Sequence, residues 1–392
     1  MKRALILLLF LAARVPLLFL RQPFFDELYT QWICGRNVLA ALRFDSGPPL
    51  YYWLLQLMGT MPLFAMRTMS LVFGAVAVVA LMGAEKLGES RFSAAALVAV
   101  FPPAVLFAVD ARAYALCAMF VALGLIALAY ERPFLAAAMF VLAGYSHYYG
   151  VLFVPLLARR WRALAAAVVL FLPGFWLAAH QPAAARQWMH VAWPDALFVR
   201  PPVLLAILMF ALFAAYVGRA LARREVDGLK PVLHWVVPTV LAVCLGVYVP
   251  LRFECVIAMP LMLWLAPAKR VILIPLGVAF AAWTALGIVD HATRPVDDYR
   301  AAAQFVAEAK EPVVASGYLY LEAVMQRPAI AFPPEQAQHP GWRAVAQSGS
   351  GLPSGAFLWI GERDAPELSI IRRTRSVEPL YANSRAMVVK VH

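Results

Sequence analysis

RQPFFDELYTQWICGRNVLAALRFDSGPPLYY, residues 21–52, is a polar, proline-bearing interval that carries the adjacent carboxylates Asp26 and Glu27. It directly follows MKRALILLLFLAARVPLLFL, in which two bases, Lys2 and Arg3, precede an apolar run over residues 4–20. At about 1.5 Å per residue, such a run reaches across most of the hydrocarbon of a bilayer. A basic start before an apolar run also describes a signal peptide, but no convincing small-residue cleavage site follows. The run therefore reads as a retained first span with Lys2 and Arg3 inside, which puts residues 21–52 on the outer side.

The whole composition agrees with a membrane protein. Of 392 residues, 63% are hydrophobic and 14% charged, and the mean hydropathy is +0.74. A water-soluble globule of this composition would have too little polar surface to cover itself. The apolar residues fall in repeated blocks of about 15–20, so the expected fold is an α-helical polytopic membrane protein. A formal charge of +12 raises nucleic acid as a partner. The bases, however, are scattered between apolar blocks, where membrane orientation explains them, and no nucleic-acid partner is expected. Cys34, Cys117, Cys244 and Cys255 lack ligand-like spacing. They read as small buried hydrophobes and require no disulfide.

Charge parity orders the spans. Arg14 lies within the first one and is expected to turn toward the protein or to snorkel to the outer surface. Pro48 to Leu63 contains Tyr51, Tyr52 and Trp53 between prolines and suits an interfacial or re-entrant helix at least as well as a span. With residues 66–84 running inward, Lys86 and Arg91 are cytoplasmic, and Asp110 and Arg112 return to the outer side with Asp26. Residues 133–158 must turn near GYSHYYG to keep Arg132 and Arg159 both inside, which makes two short segments meeting around Ser146 and His147. Residues 179–200, with Trp188, His190 and Trp193, form an outer loop before a span over 201–219. Continued to residue 289, the alternation gives about eleven spans, amino terminus inside and carboxyl terminus outside.

After Asp290 the pattern changes. HATRPVDDYRAAAQFVAEAKEP reads as a capped amphipathic helix, and PVVASGYLYL, GAFLWIGERD and SRAMVVKVH read as strands. The expected organisation is a transmembrane catalytic domain over 1–289, with an outer loop over 21–65, followed by a small α/β domain over 290–392 on the outer face. That second domain has no metal or phosphate motif and reads as a lid or cap, with substrate selection as the other reading.

Ionisable groups near a bilayer are expensive, so the polar residues that the topology gathers at the outer face are candidates for chemistry. They are Asp26 and Glu27; Asp110, Arg112 and Tyr114; His147 with Tyr145, Tyr148 and Tyr149; and Arg252 with Glu254. Arginine forks suit a phosphate, and a carboxylate can deprotonate a hydroxyl or amine. Together they point to a reaction on a head group carried by a lipid phosphate, in which phosphate departs. A transporter or flippase for such head groups could use the same charged cavity without a positioned base. No Asp-x-Asp pair is present, so no metal ligand is assigned; a divalent metal is possible but not favoured, and no other cofactor is implied.

FFDELY, DSGPPLYYWL, AVDARAYAL, GYSHYYG and VPLRFECVIAMP occur in this order over residues 1–270. They resemble the landmarks of integral-membrane GT-C glycosyltransferases of the protein-mannosyltransferase and aminoarabinose-transferase superfamily. The resemblance implies a GT-C-like fold and an inverting transfer of a sugar from a polyprenyl-phosphate monosaccharide to an acceptor hydroxyl or amine. It makes Asp26 the catalytic base and Glu27 its organising neighbour. Asp110, Arg112 and Tyr114 match the acidic residue and Arg-x-Tyr after the third span, and Ser146, His147 and Tyr148 match a Thr/Ser-His-Tyr feature. Arg252 matches the basic part of an Arg-Tyr feature, with Phe253 in place of the tyrosine. The donor phosphate or sugar would then be held by Arg252, Arg112, His147, Asp110, Tyr114 and Tyr148. The partners implied are the lipid-linked donor, the bilayer and a lipid, glycan or protein acceptor. The expected place is the bacterial cytoplasmic (inner) membrane, with the site and the carboxy-terminal domain on the periplasmic side.

Overall fold

A computed structural model describes the chain apart from residues 43–46, 60, 182–225, 250–251, 268–269, 294–297, 339–345 and 347. Most of the expected outer loop 179–200 and the whole expected span 201–219, with Trp188, His190 and Trp193, lie outside the described residues. In chain order the helices are α1 (Lys2–Leu20), α2 (Phe25–Cys34), α3 (Val38–Leu42), α4 (Leu50–Leu57), α5 (Leu63–Gly83), α6 (Ser90–Val100), α7 (Pro102–Leu106) and α8 (Tyr114–Ala129). Next come α9 (Pro133–Ser146), a 3₁₀ helix (Tyr148–Leu157), α10 (Trp161–His180), α11 (Val226–Cys244), α12 (Arg252–Leu265) and α13 (Arg270–Thr293). The last part holds α14 (Asp298–Ala307), β1 (Val313–Ala315), α15 (Leu319–Gln326), β2 (Ala329–Ala331), β3 (Phe357–Glu362), α16 (Pro366–Thr374), β4 (Val377–Ala382) and β5 (Ala386–Val391). The chain is mostly helical and divides into two compact units.

The first unit is Met1–Arg21, Gly47–His180 and Arg186–Thr293. Among the described residues, α1, α5, α10 and the helix beginning at Arg270 are long and apolar enough to cross a membrane. Helix α4 has eight residues, about 12 Å of rise, and so cannot cross; of the readings open for the aromatic segment after Pro48, the short helix is the one found. The apolar stretch after Arg132 does break at GYSHYYG. Helix α9 ends at Ser146, His147 is extended (φ −151, ψ 136), and the 3₁₀ helix packs back against α9. Gly150 makes that return possible, because a Cβ there would sit 2.2 Å from the Ala143 carbonyl carbon. Gly124 on α8 does the same for α9: a Cβ would meet the Phe140 ring at 2.4 Å. Small residues that let backbones approach are how helices pack where lipid is as apolar as the side chains.

One break is matched by a distant charge. The expected span over 92–108 is two helices, α6 and α7, interrupted at Phe101. In a continuous helix the carbonyls of Val98 and Ala99 would accept from residues 102 and 103, but both are prolines and have no N–H. The Arg14 guanidinium takes their place. Its Nη1 donates to Ala99 O at 2.7 Å, and its Nη2 donates to Val98 O at 3.2 Å and to Ala104 O at 2.9 Å. The same group lies over the Phe10 ring, 4.0 Å from its centroid. Arg14 is therefore turned into the protein, where it is 1% exposed, and its role is structural.

The second unit is Gln22–Ser46, Gln181–Ala185 and Arg294–His392. Its five-stranded sheet has the order β2-β1-β3-β5-β4, with β1 parallel to β2 and β3, and β5 antiparallel to β3 and β4. Alternation along β1 sends Val313 and Ala315 to a core with Ala302, Val306 and Leu319, while Val314 joins Phe357, Trp359, Leu368 and Ile371. Helices thus cover both faces, which is why FLWIGE on β3 reads as a continuous apolar run. The expected strand PVVASGYLYL is only half strand. Gly317 adopts φ +60 after β1, and the chain then enters α15 at Leu319.

Candidate functional site

In the first unit the candidate residues gather around His147. The Nδ1 of this residue accepts the Tyr149 N–H at 3.2 Å, so the neutral imidazole carries its proton on Nε2 and presents a donor there. Tyr114 and Tyr149 flank the ring, with centroids at 5.1 and 4.3 Å. Cys117 Sγ donates to the His147 carbonyl at 3.8 Å. The positive charges of Arg112 and Arg252 both act on the imidazole, so the histidine, both arginines and Tyr114 share one neighbourhood. Tyr148 begins the 3₁₀ helix and packs half-buried on the same core.

Arg252 opens α12, and the residue after it is apolar. Phe253 is fully buried, edge-on to Tyr149 at 5.0 Å and 88°. A phenol in its place would carry a hydroxyl that needs a partner in an apolar surround. The neighbouring Tyr248 hydroxyl donates to Glu254 Oε1, so that carboxylate serves as an acceptor beside the arginine.

Arg112 and Asp110 belong to one tight turn, in which the Arg112 N–H donates to Asp110 O at 2.7 Å. Nη1 of Arg112 donates to the Tyr52 hydroxyl of α4 at 3.2 Å. The Asp110 carboxylate pairs with Arg21 at 2.9 Å, with their side chains 1% and 10% exposed. Ser70 Oγ donates to the Asp110 carbonyl at 2.7 Å, and Arg67 Nη1 donates to the Arg21 carbonyl at 2.7 Å. Asp110 thereby ties the end of α1 to the turn that presents Arg112. Arg21, Arg67 and Tyr52 were missed as parts of this network. Arg67 left one signal in the sequence, a base inside an otherwise apolar span.

In the second unit, Asp26 and Glu27 occupy the first turn of α2, where carboxylates oppose the partial positive charge of a helix N-terminus. Glu27 is fully buried at the third helical position, and its Oε2 accepts the Phe24 N–H at 3.4 Å, the reaching-back half of a capping box. Asp26 is half-buried, and its carbonyl accepts from Thr30 Oγ1 at 3.0 Å. The two acids therefore differ: Glu27 holds its own helix end, while Asp26 is the more accessible carboxylate.

No family model matches the chain, and no curated protein matches it in sequence. Its fold does have counterparts among solved structures, in agreement with the expected GT-C-like fold. The crystal structure of ArnT from Cupriavidus metallidurans in the apo state matches with a TM-score of 0.63 at 13% identity, over 99% of this chain and 97% of that one. The same protein bound to undecaprenyl phosphate matches with a TM-score of 0.61 at 13% identity, over the same shares. The arabinofuranosyltransferase AftD from Mycobacteria matches with a TM-score of 0.51 at 16% identity, over 100% of this chain and 40% of AftD. At such identities the likeness is one of fold.

Proposed function

We propose that this chain is an inverting glycosyltransferase that moves a sugar from a polyprenyl-phosphate monosaccharide to an acceptor hydroxyl or amine at the outer face of a bacterial inner membrane. The observation that carries the reading is the gathering of Arg112, Arg252 and Tyr114 around His147 in a chain whose fold is shared with an undecaprenyl-phosphate-bound protein. About eleven spans, an inside amino terminus and a periplasmic carboxy-terminal region belong to the same proposal.

In the mechanism, Arg252 and Arg112 supply charge-assisted hydrogen bonds to the donor phosphate, and His147 adds its Nε2–H. Asp26 takes the proton of the acceptor hydroxyl. The freed oxygen attacks the anomeric carbon on the face opposite the phosphate, the carbon–oxygen bond to phosphate breaks with its electron pair, and one displacement inverts the centre. The departing polyprenyl phosphate leaves with its charge held by the arginines, so a divalent metal is not favoured, and chelation is expected to leave turnover unchanged. Glu27 keeps the first turn of α2 in shape. Tyr114 and Tyr148 contribute ring surface beside His147, and Asp110 acts through Arg21 and the turn that carries Arg112.

The deciding experiment incubates purified protein with a labelled pool of polyprenyl-phosphate sugars and outer-envelope acceptors, and compares Asp26→Asn. General-base removal is expected to lower turnover by about 100-fold or more while donor binding persists. Full turnover in a folded, donor-binding Asp26→Asn protein sinks the assignment of the base. Movement of intact donor across the membrane with its sugar retained replaces the enzyme with a transporter.

A further inference from the structure

We propose that Tyr318 is a positioning residue for Asp26, so that the carboxy-terminal sheet sets the geometry of the carboxylate helix. The inference rests on the reading of Asp26 as the acceptor base. Helix α2 belongs to the same compact unit as residues 294–392, although more than 250 positions of sequence lie between them. Phe25, the residue before Asp26, meets the Tyr318 ring edge-on with centroids 5.0 Å apart and planes at 75°. Aromatic edge-to-face contacts have a defined geometry, which a generic apolar contact lacks.

Each step behind Tyr318 is rigid. The β1 strand is paired on both sides, by β2 and β3, and ends in Ser316, which is buried and whose Oγ accepts Trp359 Nε1–H at 2.8 Å. Gly317 then takes φ +60, a conformation that a side chain would strain, and the chain passes through Tyr318 into α15. Tyr318 stands at the start of α15, the helix that packs on α2. Along α2 the contact continues as a ladder. Phe25 stacks on Tyr29 at 6.2 Å, Tyr29 on Trp32 at 5.6 Å, and the Arg36 guanidinium lies 4.2 Å from the Trp32 ring centroid. The charge of Arg36 also bears on Tyr320 of α15. The phenol of Tyr320, raised above its ordinary value by burial, stays neutral there.

Fixing Phe25 against the sheet therefore fixes the first turn of α2, and Asp26 is in that turn. A base must lie within hydrogen-bond reach of the proton it takes, so a loosened first turn is expected to slow the chemical step while leaving the hold on the donor phosphate intact.

The test compares wild type, Tyr318→Ala and Tyr318→Phe in two measurements on the full-length protein. Hydrogen–deuterium exchange resolved to α2, β1 and β3 reads the joint, and kcat and KM with a polyprenyl-phosphate sugar read its consequence. The expected result for Tyr318→Ala is exchange at α2 faster by about fivefold with β1 and β3 unchanged, kcat lower by about tenfold, and KM for the donor within about twofold. Tyr318→Phe, which keeps the ring, is expected to restore both. Unchanged α2 exchange in Tyr318→Ala, or loosened α2 with unchanged kcat, overturns the proposal. A Tyr318→Phe protein as slow as Tyr318→Ala also overturns it, by making the hydroxyl the active part. Wild-type protein that consumes no donor overturns the functional reading itself and removes Asp26 as a base; the exchange arm still decides whether Tyr318 holds α2.

Discussion

Arg14 is a residue whose charge was visible in the sequence and whose task was not. A base in the middle of an oily segment announces only that something must satisfy it. Two of the carbonyls that satisfy it are orphaned by Pro102 and Pro103, and no local pattern connects those prolines to position 14. Removing the guanidinium leaves Val98 and Ala99 with buried acceptors and no donors, at about 1–3 kcal/mol for each unsatisfied group. Arg14→Leu is therefore expected to lower stability by about 3 kcal/mol or more, read as the unfolding midpoint in a fixed detergent. Arg14→Lys carries the same charge but not the planar fork, and is expected to recover less than half of the loss. A lysine variant as stable as wild type would show that charge alone, and not the fork across the helix break, is what position 14 supplies. Asp110 makes the same point from the other side. Its candidacy was legible in the sequence, whereas its pairing with Arg21 depends on how the end of α1 meets the turn.

Elements were most readable where length and proline set hard limits. Around Pro48 the bracketing prolines and aromatic residues made a short helix at least as readable as a span, and α4 has eight residues. The reversal at GYSHYYG followed from the need to keep flanking bases on one side. PVVASGYLYL was misread because β-branched and aromatic residues continue past Ala315, while the backbone turns at Gly317. Strand propensity cannot register a positive φ that tertiary packing imposes. The three-residue β2 is too short for alternation to declare itself. Within the reversal, Gly150 is the position that the packing cannot change. Its missing Cβ is replaced by the Ala143 backbone at 2.2 Å, and backbone cannot step aside as a side chain can. Gly150→Ala is expected to cost about 3 kcal/mol or more by forcing the 3₁₀ helix off α9. Gly83→Ala, with nothing within 4 Å of the added carbon, serves as the control and is expected to be neutral or slightly stabilising. Equal midpoints for the two variants would mean that α9 and the 3₁₀ helix are looser than their contact implies.

At the scale of the whole molecule, hydropathy sorted apolar blocks from polar ones but carried no information on which body a polar loop joins. Residues 22–46 follow the first span in sequence, yet they group with the sheet at the other end of the chain. The landmarks carried the resemblance by their order along the chain, and the division of labour proposed among them follows from chemistry. In the proposed mechanism Arg252 and Arg112 would bear on a phosphate whether or not a bond breaks, while a base at Asp26 would matter only when the acceptor reacts. The two functions should therefore separate on substitution. Loss of one charge-assisted contact is worth about 1.5–3 kcal/mol, so Arg252→Ala is expected to weaken binding of undecaprenyl phosphate by about 10- to 100-fold. The same loss should appear in KM for a sugar-charged donor. Arg252→Lys keeps the charge without the fork and should fall between. Asp26→Asn is expected to bind the lipid phosphate as wild type does and to fail only in turnover. Native mass spectrometry of the protein with undecaprenyl phosphate, beside kinetics on the charged donor, measures both. An Arg252→Ala protein with wild-type lipid affinity and a depressed kcat would move Arg252 out of ground-state phosphate binding and into a contact made only as the phosphate departs.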